Sequence, residues 1–231
     1  MIHRLLVISW IILAVIIASM MFFGCSQGGT NLLEVDDEGN TLIDNEALTT
    51  TINETPATEL SDVEREGIVY MREEEKLARD VYLQLYEKWG VNNFNNIGKS
   101  EASHMDAVKS LIDRYDLDDP AKEKAIGEFT NQELQQLHDE LIKQGSQSEV
   151  DALKVGAAIE EIDIIDIERY VAQTGKEDIK LVYENLLKGS RNHLRSFVSV
   201  MQRRGINYEP QYITQRKFDE TISTPVERGG R

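Results

Sequence analysis

Cysteine is almost absent from this chain: Cys25 is the single one. A disulfide framework within the chain and a Cys-rich zinc site are both excluded. Proline is scarce too, with 4 residues, of which Pro210 and Pro225 lie near the C-terminus. Aromatic residues make up only 7%, little for an all-β protein. Few helix breakers, with many Glu, Lys, Leu, Ile and Ala, predict an all-α fold. Positive charge is in the minority: 25 Lys and Arg face 41 Asp and Glu, a formal net charge of −16. Nucleic acid is excluded as a natural partner, because phosphate binding needs basic patches. Such acidity suits solubility and can attract cations, and establishes neither.

What is present begins with an apolar run. Residues Leu5 to Phe23 are apolar or small throughout, after a short start carrying His3 and Arg4. That length approaches the roughly 20 residues needed to cross a bilayer. The run ends in Gly24-Cys25-Ser26, which resembles a bacterial lipoprotein signal with Cys25 as the lipidated residue. A retained signal anchor with an incidental thiol is the other reading. Both make residues 1–25 an address segment tied to the membrane, with the rest extracytoplasmic. Residues 26–60 are rich in Asn, Thr, Asp and Glu and show no helical or strand period. They are expected to form a flexible acidic tether.

From Ser61 the pattern changes. Ser61-Asp62-Val63-Glu64 is a capping box. An apolar seam follows through Met71, Ala78, Tyr82, Leu85 and Trp89, and Gly90 ends it. A second helix runs along Phe94, Ile97, Val108, Leu111 and Tyr115, up to Asp118-Asp119-Pro120. A short helix spans about residues 131–143. The third long helix carries Leu153, Gly156, Ile164, Ile167 and Val171, and the fourth Ile179, Val182, Leu186, Phe197 and Val200 before Gly205. His138, alone on the short helix, is expected at the surface. The tail, 206–231, is expected to pack over one end of the bundle.

Each seam is interrupted by chemistry. Spacings of three and four place Glu75 on the first seam, Glu101 and His104 on the second, Glu160 on the third and His193 on the fourth. Buried ionisable groups cost several kcal/mol each unless paired, as an order of magnitude. So many on four seams ask for a common partner of opposite charge. Carboxylate plus imidazole suits iron or manganese. Gly90 lies midway between Glu75 and His104, and Gly175 lies between Glu160 and His193, so two hairpins bring these residues level. One long crossover, about residues 116–150, joins the hairpins. That is the topology of a ferritin-like four-helix bundle over residues 61–205, with a short helix inserted in the crossover.

Glu101-Ala-Ser-His104 is the Glu-x-x-His pair of di-iron bundles. Around it the chain resembles the ferritin-like superfamily. Glu75-Lys-Leu-Ala-Arg-Asp-Val-Tyr82 looks like the first helix of rubrerythrin-type proteins, where the Glu binds iron and the Tyr lies close by. Tyr82 is thus the candidate catalytic side chain. The stretches 73–82, 100–107, 151–161 and 183–193 look like the uncharacterised family called domain of unknown function 2202. The resemblance spans about residues 62–215. It implies the ferritin-like fold, and function only loosely, since the family is functionally undefined; the seam residues Glu75, Glu101, His104, Glu160 and His193 are the candidate ligands of a di-iron centre. One departure stands out: the fourth helix has Ser190 where the pattern places a carboxylate. Asp163, one turn after Glu160, could replace it, as could Glu74; otherwise the second metal is weakly held or the site holds one metal. Asp106 and Asp163 are further candidates to orient the imidazoles.

Three functions follow from this reading: a di-iron oxidoreductase acting on Fe(II), oxygen or peroxide, a non-catalytic metal-binding protein, and a metal-free interaction module. The first needs an external electron donor, since no rubredoxin-like Cys motif is present. Assembly as a homodimer is compatible with any of the three.

Overall fold

A computed structural model describes residues 31–229. The apolar run and Cys25 lie outside the described residues. Among those described, no helix is long and apolar enough to cross a membrane. In chain order they form β1 (Leu33–Val35), β2 (Thr41–Ile43), α1 (Asn45–Ile52), α2 (Asp62–Trp89), α3 (Asn92–Arg114), α4 (Gln132–Gly145), α5 (Glu149–Gln173), α6 (Glu177–Arg203) and α7 (Gln215–Ser223). The fold is predominantly helical, as composition demands.

Local signals set the helix ends. Ser61 accepts from the Glu64 amide and Glu64 accepts from the Ser61 amide, closing the capping box of α2. Gly90 ends α2 in the left-handed region, at φ 66°, where a side chain would be strained. The helix α3 starts two residues later and folds back against α2. α5 and α6 form a second hairpin across Thr174–Lys176. α2 also packs against α5, and α3 against α6. Residues 115–131 cross between the hairpins and lead into α4, which covers α2 and α5.

The apolar core comes in two clusters. One gathers Tyr82, Phe94, Leu153 and Phe197, towards the end of the hairpin at Gly90. The other gathers Ile68, Met71, Val108, Leu111, Ile167 and Leu186. Along α2, α3 and α6 the residues between these two clusters are Glu75, Glu101, His104 and His193. A polar layer therefore separates two apolar ones.

Two expectations are corrected. Residues 33–52 of the expected tether are folded. β1 pairs antiparallel with β2, and Leu33, Ile43, Leu48 and Ile52 are buried. Strands of three residues are too short to show a period. His138 is buried, not at the surface. It pairs with Gln84 Nε2 (2.8 Å) and Asp139 Oδ1 (3.0 Å) and packs on the Phe129 ring. The run Glu73-Glu74-Glu75-Lys76 is buried on every side. Glu73 accepts the amide of Asn131, the N-cap of α4, and Lys76 pairs with Asp80 and donates to the Ala125 carbonyl. The outer face of α2 thus holds the crossover while its inner face meets the polar layer.

The tail is anchored at more than one place: Glu227 pairs with Arg191 and Arg195, and Glu161 holds residues 208–213. Glu161, fully buried, accepts from the Tyr208 hydroxyl (2.7 Å) and from the amides of Gln211 (2.8 Å), Tyr212 (2.6 Å) and Ile213 (3.1 Å). Glu161→Ala strands four donors and is expected to lower stability by about 3 kcal/mol. The measurement is a shift in the urea midpoint at unchanged slope. A midpoint within error of wild type would show that the tail docks by other means.

Candidate metal centre

One turn of α3 carries both Glu101 and His104 on the face towards α2 and α6. Glu101 lies between two imidazoles. Its Oε2 is 2.8 Å from His104 Nδ1, and its Oε1 is 2.8 Å from His193 Nδ1. Beyond each imidazole stands another carboxylate: Glu75 Oε2 is 3.3 Å from His104 Nδ1, and Glu160 Oε2 is 3.6 Å from His193 Nδ1. The two rings stack, with centroids 5.4 Å apart. The result is a pseudo-symmetric row, Glu75–His104–Glu101–His193–Glu160, from four helices. None of the five is more than 1% exposed.

The short approaches are not aligned as hydrogen bonds. Both Nδ1 atoms, both Glu75 oxygens, Glu101 Oε1 and Glu160 Oε2 are buried without a hydrogen-bond partner. Glu161, equally buried, has its two oxygens fully engaged. Burial therefore does not explain the orphaned atoms; their mutual orientation does. Donor atoms of Glu101, His104 and His193 all lie within 4.8 Å of one another, a group that could hold a metal ion. Orphaned carboxylate oxygens and imidazole nitrogens facing one point are the donor set a divalent cation needs.

Two further carboxylates border the row. Asp163 and Glu74 are buried, and all four of their oxygens lack partners. Burial pushes both well above the carboxylate range, Asp166 adding to this at Glu74 and Glu74 at Asp163. Glu75, rather than Glu74, is the member of its run that reaches His104. Ser190 turns back to the Leu186 carbonyl (3.1 Å) and offers the centre nothing. Asp106 is exposed and orients neither imidazole. Tyr82 donates to Glu160 Oε1 (2.6 Å), with the Gly156 carbonyl at 3.2 Å. Burial and the Glu160 charge push its phenol well above the ordinary value.

Two residues outside the expected ligand set complete the surroundings. Thr41, from the hairpin, sits against both imidazoles: its Oγ1 is 3.0 Å from His104 Nε2 and 2.9 Å from His193 Nε2. Gly189, on α6, makes room for the His104 ring. A Cβ there would lie 2.4 Å from His104 Cε1.

The charges are strongly shifted. Burial pushes Glu75 up to about 7 against the pull of His104. Burial and the Glu101 charge push Glu160 up to about 7. Burial also opposes ionisation of Glu101, but His193 and His104 outweigh it and hold Glu101 below the usual range. Burial disfavours charged imidazole, yet Glu101 foremost raises His104 to about 10 and His193 to about 9.

A pH dependence follows. From 4.5 to about 7, native Glu75 and Glu160 keep protons that the unfolded chain releases. From 6.5 to about 9 or 10 the imidazoles do the same. The stability these four groups contribute is full below about pH 5 and is lost as pH rises to about 10. The share from Glu101 has the opposite sign and is lost only below its ordinary 4.5. The melting temperature of metal-free protein should therefore fall between about pH 6 and pH 9. Bound metal, which displaces these protons, should flatten that fall. A melting temperature that rises over this range without metal would contradict the assigned charges.

Relatives share most of this chain. An uncharacterized protein of Methanocaldococcus jannaschii, MJ0754, is 53% identical over 178 residues, which is 77% of this chain and 96% of the relative. The crystal structure of that hypothetical protein superposes with a TM-score of 0.73, covering 75% of this chain and 99% of the other. A family profile described as an uncharacterized protein domain, DUF2202, matches residues 64–225, which include every proposed ligand. By that match and that identity, the chain belongs to the DUF2202 family.

Proposed function

We propose that the chain is a ferritin-like four-helix bundle holding a pair of divalent metal ions, iron in preference to manganese. The observation that carries this is the set of orphaned donor atoms in the row Glu75–His104–Glu101–His193–Glu160. In this reading Glu101, His104 and His193 would hold the ions, which would supply the positive charge that this buried layer lacks. Glu75 and Glu160 are the outer carboxylates. Asp163 supplies the carboxylate that Ser190 lacks. When bound, an iron pair supplies electron transfer to oxygen or peroxide, as in carboxylate-bridged bundles. Tyr82 holds Glu160 in place through its proton and shields that oxygen from water. Electrons come from an external donor.

The sequence alone supports the place of action: outside the cytoplasmic membrane, attached through lipidated Cys25 or through Leu5–Phe23. A second reading is retention of metal without turnover. The near-complete burial of all five ligands favours it, since no open face admits a substrate in this conformation.

Full-length protein purified anaerobically and loaded with Fe(II) should hold about two ions per chain. Glu101→Gln should reduce this to one or none. Oxygen or peroxide consumption by the loaded protein separates oxidoreductase from holder. Wild-type protein that takes up neither Fe(II) nor Mn(II) would remove the proposal.

A further inference from the structure

The hairpin β1–β2 belongs to neither long-helix hairpin and precedes the stretch matched by the family profile, yet it reaches the middle of the polar layer. Its docking is specific. The Thr41 amide donates to Ser100 Oγ (3.0 Å), the Ile43 amide to Ser103 Oγ (2.8 Å), and Asn45 Nδ2 to the Ser103 carbonyl (3.0 Å). In Ser100-Glu101-Ala102-Ser103-His104, residues that face the metal centre thus alternate with residues that hold the hairpin. On the other side, a side chain at Gly39 would press to 3.1 Å on the Asn192 carbonyl, next to His193. The hairpin therefore spans the two helices that carry the imidazoles.

Thr41 stands at the point of contact, fully buried. Its hydroxyl oxygen has two lone pairs, and the two Nε2 atoms lie at 3.0 and 2.9 Å. We infer that Thr41 is a positioning residue which accepts Nε2–H from His104 and His193 together. This fixes both rings in the form whose Nδ1 faces the carboxylates. A ligating histidine needs its second nitrogen held in this way, usually by a carboxylate or a carbonyl on a separate partner for each ring. Here one hydroxyl serves two rings, which ties the two halves of the centre to each other and to the hairpin. Gly189 keeps the place open, because a Cβ there would also lie 3.1 Å from Thr41 Oγ1.

The metal arm of the test rests on the proposed centre; the other arm does not. In full-length, metal-free protein, long-range proton–nitrogen NMR should show slowly exchanging Nε2–H protons on both rings. Thr41→Ser should keep them, and Thr41→Val should shift them and speed their exchange. Fe(II) binding should weaken about 10- to 100-fold in Thr41→Val and be retained in Thr41→Ser. Spectra unchanged by Thr41→Val would overturn the inference. So would rapid exchange of either Nε2–H in the wild type, which decides the matter should the valine variant fail to fold. If the wild type binds no Fe(II), the metal centre falls, and the NMR arm still decides the role of Thr41.

Discussion

The structure depends on one constraint: ionisable side chains packed where water cannot reach them. Glu74, Glu75, Glu101, Glu160 and Asp163 lie with His104 and His193 between two apolar clusters. An isolated buried charge costs several kcal/mol even after relaxation, in round terms. The metal-free chain limits that cost by sharing protons: Glu101 stays ionised between two imidazolium rings, and the flanking carboxylates hold theirs. Such a layer is tolerable but strained in its hydrogen bonding, with donors and acceptors close and misaligned. A cation pair would replace the protons and satisfy the same atoms at once.

The rest of the fold holds that layer in place. Among the described residues, other buried charges are engaged. Glu161 receives the tail, Glu73 receives the start of α4, and Asp80 receives Lys76, Arg79 and the Gly127 amide. These contacts fasten the crossover and the tail to α2 and α5, so the helices that carry the polar layer are braced from outside. The hairpin braces α3 and α6 from the remaining side. Tail and hairpin also meet: Arg228 donates to the Val35 carbonyl (2.8 Å) and pairs with Asp37. Segments at both ends of the described chain thus converge on the helices that carry the histidines.

Much of this is legible in the sequence. The capping box at Ser61, the stop at Gly90 and the seam spacings gave α2, α3, α5 and α6 and levelled Glu75 with His104. They worked because a long helix repeats its pattern enough times to be read. The hairpin was not legible: its strands are three residues long, and Thr41 is one polar residue in a polar stretch. Buried Lys76, Asp80 and His138 were missed for a related reason. Periodicity marks apolar faces, and a helix that buries salt bridges on its outer face looks solvated. Ser190, where the expected pattern has a carboxylate, bonds the Leu186 carbonyl, while Asp163 is buried with both oxygens unpartnered.

The central claim is that the row from Glu75 to Glu160 is a metal-binding layer. Anomalous X-ray scattering at the iron edge, from crystals of the chain grown anaerobically with Fe(II), tests it most directly. Two peaks are expected per chain, one among Glu75, Glu101 and His104 and one among Glu101, Glu160 and His193. A map with no peak in this layer, or with iron only on surface carboxylates, would contradict it.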